Sequence, residues 1–281
     1  MVRSTIFFLA LAFFALCIRA QSPISPDTPE PGSANEISKA TTEPRFLSPW
    51  VSYLPASSTV PSPRAFFGRI MGAPGELVDS AKTYAYCRAL AAASPRVRVF
   101  TIGKSEEGRD ILLVAIADEK GIASLDQLKS ATAALADPRK TDSAAAEKLI
   151  ATSRPIYYFN AALHSDETGS TESVLELAYR LAVSDQPMIR RIRENLVVLI
   201  NPVSSPDGRD NQVQWFYRYP KAKPIAAPSR GRLPPTGAST FSSTSIATLT
   251  NSPRKPPKPS PTCSSTGTPP SSTISTKANH S

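Results

Sequence analysis

Residues 155–183 read PIYYFNAALHSDETGSTESVLELAYRLAV. Pro155 opens a continuous apolar run, Ile156 to Leu163, of the length and aromatic character of a buried strand. A polar turn follows, and from about Ser170 to Val183 the apolar residues recur at helical spacing. A strand, a short turn and a helix in that order form half of an α/β unit, whose sheet is covered on both faces. His164 ends the strand and Glu167 lies three residues on, at the turn into the helix. Ligands of open α/β sheets gather beyond the C-terminal ends of strands. An imidazole and a carboxylate at this spacing can reach one zinc ion from a single turn, and a catalytic zinc takes three protein ligands plus water. A hydrogen-bonded structural histidine is the other reading of the same pair.

On the C-terminal side, a short helix from Pro187 to Glu194 precedes LVVLINPVSSPDGRD (196–210), a strand from Leu196 to Ile200 that runs into Pro206-Asp207-Gly208. On the N-terminal side, IGKSEEGRDILLVAI (102–116) joins two strands, Val97–Ile102 and Ile111–Ala117, through a Gly/Ser turn. A helix over Glu76–Ala93 precedes this hairpin, and helices near Ser124–Ala136 and Ala144–Thr152 follow it. The order of elements predicts an α/β fold, with a mixed, mostly buried sheet between helical layers.

These three segments, in order and spacing, resemble the carboxypeptidase A/B type of zinc carboxypeptidase over roughly residues 76 to 220. The GKSEEGR turn, His-Ser-Asp-Glu at 164–167 and the Pro-Asp-Gly loop carry the resemblance; the family's usual Asn before Pro-Asp-Gly is Ser205 here. The resemblance implies a three-layer sandwich in which one zinc ion polarises the scissile carbonyl of a peptide or cell-wall peptide. It implies that His164 and Glu167 are the first two metal ligands. Arg218, in QWFYRY, is the nearest match to the carbonyl-polarising arginine, with a solvated Arg beside an aromatic cluster as the alternative. The family's third ligand is a later His, and the remaining one here, His280, sits in a Pro/Ser/Thr tail with no strand to fix it. The third ligand and the general-base Glu are therefore expected to be missing, and the domain to be incomplete and inactive.

Residues 220–281 contain no Asp or Glu, eight Lys or Arg and twelve of the 28 prolines, a composition expected to be disordered. This tail carries eight of the nine net positive charges, so the basic balance is not the footprint of a folded nucleic-acid-binding face. With codons displaced by one base, PPTGASTFSSTSIATLT (234–250) can encode PPYWGKYVFVDINRDT, and PPSSTISTK (269–277) can encode PPIIHDLHE. Two family-like segments in one displaced frame point to a frameshift between about Pro220 and Pro235, which the coding DNA checks directly.

The first twenty residues, MVRSTIFFLALAFFALCIRA, have the pattern of a cleaved signal peptide: Arg3, an apolar run from Ile6 to Ile18 and Ala20 at the cleavage position. The run is short for a membrane span. A secreted or periplasmic location is expected, with no stable span after cleavage. Cleavage leaves Cys87 and Cys263, too few for a disulfide framework. Residues 21–75 read as a Pro/Ser-rich extended leader on the domain surface, residues 76–225 as the N-terminal part of the catalytic domain, and residues 226–281 as the shifted tail. The alternative is an exported, non-catalytic binding protein that uses its basic tail.

Overall fold

The computed structural model describes residues 27–218. The signal segment, Cys17, Cys263, His280 and the tail, with its expected disorder and shifted frame, lie outside the described residues. Among the described residues, no helix is long and apolar enough to cross a membrane.

The sheet has four strands, β1 (Val97–Lys104), β2 (Asp110–Ile116), β3 (Ile156–Asn160) and β4 (Val197–Asn201), in the spatial order β1-β2-β4-β3. β1 and β2 form the antiparallel hairpin that the Gly/Ser turn requires, and β2 is antiparallel to β4. β3 and β4 are parallel, with Ile156 opposite Val197 and Asn160 opposite Asn201. Alternation along the strands sends Val198 and Ile200 to one face and Val197 and Leu199 to the other. The fold is therefore an α/β structure with a mixed sheet and helices on both sides.

On the first face lie α1 (Ser33–Ala40), α2 (Pro63–Phe67), α3 (Ser80–Ala93), α7 (Thr168–Val183) and α8 (Pro187–Asn195), whose side chains meet Val114, Ile116, Val198 and Ile200. On the second face α5 (Leu125–Leu135) follows the single-turn helix α4 (Glu119–Ala123) and packs near α6 (Ser143–Thr152). Leu125 and Leu128 there share a cavity with Phe100, Leu113, Ala115, Val197 and Leu199. The final helix, α9, spans Pro206–Arg218.

Helix ends follow local capping chemistry. α3 starts at Ser80 rather than Glu76 because the Asp79 carboxylate accepts a hydrogen bond from the Lys82 N–H at 2.7 Å. Its Thr83, Tyr84, Tyr86, Cys87 and Leu90 are buried at helical spacing. The helix read over Ser124–Ala136 is α5, Leu125–Leu135, and the separate single turn α4 before it starts where the Asp118 carboxylate accepts a hydrogen bond from the Gly121 N–H at 2.7 Å. Burial pushes the Cys87 thiol up to about 12, so it stays protonated and unreactive at neutral pH.

Two expectations are corrected. β3 ends at Asn160 rather than Leu163, and it borders the described sheet, so Ile156, Tyr157 and Tyr158 are exposed. Its apolar run is not covered on both faces. The leader is not a simple surface strip either. Residues 27–75 contain α1, α2 and a 3₁₀ turn at Pro44–Phe46, and they insert Leu54, Val60 and Met71 into the core cluster beside α7. The Tyr179 hydroxyl donates to the Pro55 carbonyl at 2.6 Å, and the Arg180 guanidinium donates to the carbonyls of Trp50 and Tyr53.

Candidate metal centre

Past Asn160 the chain leaves the ladder but stays paired to the segment that follows β4. The Ala161 N–H donates to Asn201 O at 3.0 Å, the Ser204 N–H to Ala161 O at 2.9 Å and the Ser205 N–H to Ala162 O at 3.1 Å. Asn160 and Ser204 share a short side-chain hydrogen bond. Ala162 has φ 48°, the left-handed conformation that a side chain disfavours, at a cost of order 1–3 kcal/mol. Its N–H donates to Ser170 Oγ at 2.9 Å, and that hydroxyl donates to Glu167 O at 2.8 Å. The turn that carries His164 is thereby folded back against the start of α7.

His164 lies beyond the strand end, and its Nδ1 is 2.9 Å from Glu167 Oε1. The other carboxylate oxygen accepts the His164 main-chain N–H at 3.3 Å. Glu167 is the N-cap of α7, yet its side chain makes no capping bond and turns toward the imidazole. Both side chains are about half exposed, 58% and 49%, and so open to a solvent-borne ion. The Glu167 hydrogen bond, then its charge, raise the His164 pKa, with a smaller contribution from Asp166. The His164 side chain and main-chain N–H in turn hold Glu167 below the usual carboxylate range. A metal ion bound here would displace the shared proton.

The other two motifs meet one another directly. Ser105 Oγ donates to Asp207 Oδ1 at 2.7 Å, Arg109 Nη1 lies 2.6 Å from the same oxygen, and the Glu107 N–H donates to Asp207 Oδ2 at 3.2 Å. Arg109 Nε also reaches Asp210 at 2.9 Å. Burial pulls the Asp207 pKa up, but the hydrogen bonds from Ser105 and Arg109 outweigh it and leave the group below its ordinary value. Asp207→Asn is expected to cost about 2 kcal/mol at neutral pH, the usual size for hydrogen bonds to a charged group. A depressed folded-state pKa contributes stability above the unfolded value, about 3.9, and that contribution disappears as pH falls through the folded value. Urea melts of wild type and variant should therefore converge in acid; a gap that persists at pH 2 would contradict this assignment.

Arg218 is the last residue of α9. The first turn of α9 adjoins the His164 loop, where Arg209 Nη1 donates to Thr168 O at 2.9 Å. Twelve residues at about 1.5 Å each carry Arg218 roughly 18 Å along the axis from Pro206. That end of the helix instead packs on residues 76–77, where the Tyr217 hydroxyl accepts from the Leu77 N–H at 3.0 Å and donates to Glu76 at 2.9 Å.

Two donors thus suit a zinc ion, an imidazole nitrogen and a carboxylate at accessible positions. Among the described residues no group of three His, Cys, Asp or Glu is gathered for a metal, so a complete catalytic centre is not assembled within 27–218.

The fold and the grouping of the three motifs at one end of the sheet define a carboxypeptidase-like α/β domain. Residues 83–222 match the family described as zinc carboxypeptidase, and this part of the chain belongs to that family. None of the curated proteins matches the chain. Similar solved structures include carboxypeptidase A from Helicoverpa armigera, at 20% identity and TM-score 0.35, covering 48% of this chain and 26% of that one. A metallo-carboxypeptidase from Burkholderia cenocepacia is 17% identical, with TM-score 0.32 and coverage of 46% and 27%. Bovine thrombin-activatable fibrinolysis inhibitor, solved with tick carboxypeptidase inhibitor, is 12% identical, with TM-score 0.32 and coverage of 49% and 34%. The matches span about a quarter to a third of these proteins' own lengths.

Sequence reasoning did not single out Arg209 or Glu172. Arg209 is fully buried and Glu172 nearly so, and together with Arg69 they form an ionic cluster beneath the His164 loop. The available signal was the arginine that directly follows Pro-Asp-Gly.

Proposed function

We propose that this chain carries the first two ligands of a zinc-dependent metallocarboxypeptidase, His164 and Glu167, on an exported domain descended from enzymes that release C-terminal residues of peptides or cell-wall peptides. The observation that carries the reading is the 2.9 Å approach of His164 Nδ1 to Glu167 Oε1, on an exposed turn beyond two parallel strands. When bound, zinc would supply a Lewis acid for the carbonyl and an acidified water. This chain's own residues would hold the ion from two sides, with the imidazole neutral and the carboxylate ionised. From the displaced-codon reading we further propose that the chain after about Pro220 is out of frame and that its product does not turn over peptide.

Zinc titration of the full chain tests the ligand assignment. One weak site per chain is expected, abolished by His164→Ala and weakened by Glu167→Gln. If zinc uptake is indifferent to His164→Ala, the pair is not a metal site. Salt-sensitive, metal-independent retention on acidic polymers would then favour a non-catalytic binding protein.

A further inference from the structure

We propose that Arg209 is a positioning residue for the His164/Glu167 pair, and that residues 69–78, upstream of the family-matched segment, hold Arg209 in place. The proposal rests on the reading of that pair as metal ligands. Both ligand side chains are half exposed, so their orientation depends on the backbone of the turn. Ser170 and Arg209 both tie that backbone. Ser170 fixes Ala162 and the Glu167 carbonyl. Arg209 fixes the next carbonyl, Thr168 O, through Nη1 at 2.9 Å.

The guanidinium is itself held from the leader side. Arg209 Nε donates to Val78 O at 2.8 Å, and the Val78 N–H donates to Glu172 Oε1 at 3.2 Å. Glu172 sits one turn after Thr168, with Oε1 3.9 Å from Arg209 Nη2. Arg69 grips the same carboxylate through two nitrogens, each at 2.8 Å, and the Gly72 N–H adds a bond at 3.1 Å. Asp79 and Asp210 also face the arginine and favour its charge. An apolar side chain would fill this space without the desolvation that a buried guanidinium suffers. What the arginine adds is a rigid fork joining Val78 to the residue after Glu167. Groups that orient metal ligands from behind typically change affinity by about 10–100-fold when removed.

The test measures zinc affinity of the full chain by calorimetry, counting only binding that His164→Ala removes. Arg209→Met is expected to weaken that binding by about tenfold or more. Arg209→Lys should recover part of it, because an ammonium can still reach one of the two carbonyls. Arg193→Met is the control: Arg193 is also buried and donates to Leu181 O and Ser184 O at the opposite end of α7. It should lower the melting temperature while leaving zinc affinity unchanged. Wild-type affinity in Arg209→Met, or an equal loss in Arg193→Met, overturns the positioning role. If Arg209→Met does not fold, Arg209→Lys decides, and affinity equal to wild type overturns the proposal. Absence of His164-dependent binding in the wild type instead overturns the metal reading, and the inference with it.

Discussion

Glu172→Gln should cost about 3–5 kcal/mol, the range for removing one partner of a buried ion pair. The carboxylate takes two bonds from Arg69 and one each from the Gly72 and Val78 N–H groups, and it is the closest counter-charge to the fully buried Arg209. A neutral amide keeps one acceptor oxygen and gains two donors with nothing to receive them. Arg209 already has one guanidinium nitrogen without a hydrogen-bond partner, so it cannot absorb a further loss. Against a total stability of about 5–15 kcal/mol, the variant would be marginal at best. Equilibrium urea unfolding measures this, and a loss under about 1 kcal/mol would mean that the cluster is hydrated rather than sealed.

A chain that begins at residue 76 is expected to show no cooperative unfolding transition. The leader contributes Leu54, Val60, Ile70 and Met71 as buried side chains, and Phe66 and Phe67 lie within 5.3 Å, centroid to centroid, of the Tyr86 ring. Four buried side chains at about 1.5–3 kcal/mol each amount to roughly 6–12 kcal/mol, as much as the whole margin of a typical domain. Deletion also removes Arg69, and with it the main counter-ion of Glu172. Calorimetry of the shortened chain beside the full one checks this. A sharp, reversible transition in the shortened chain would show that the leader is an accessory.

The central strands, the hairpin and the helices were legible because their apolar residues keep the period of the element that buries them. Leu113 and Ile200 are core residues because a continuous apolar run reads as a strand buried on both faces. The His164/Glu167 pair was legible because a polar turn directly after an apolar run has one place to go in an α/β sheet. The leader was not, because Leu54, Val60, Ile70 and Met71 follow no period, and proline-rich spacing says nothing of where each apolar side chain lands. Glu172 and Arg209 were hidden for the opposite reason: charged residues read as surface until a partner from a distant segment is seen across from them. β3 misled as well, since IYYF has the same composition whether or not a neighbour covers it.

Cys87 has a consequence for where the domain can function. Its thiol is sealed at 2% exposure, and no disulfide joins the described residues. Residues 27–218 therefore hold together without any covalent cross-link, and neither glutathione nor an oxidising lumen has a handle on them. Their stability rests on side-chain packing, hydrogen bonds and ion pairs such as Arg69/Glu172, so the fold of these residues is indifferent to the redox state of its surroundings.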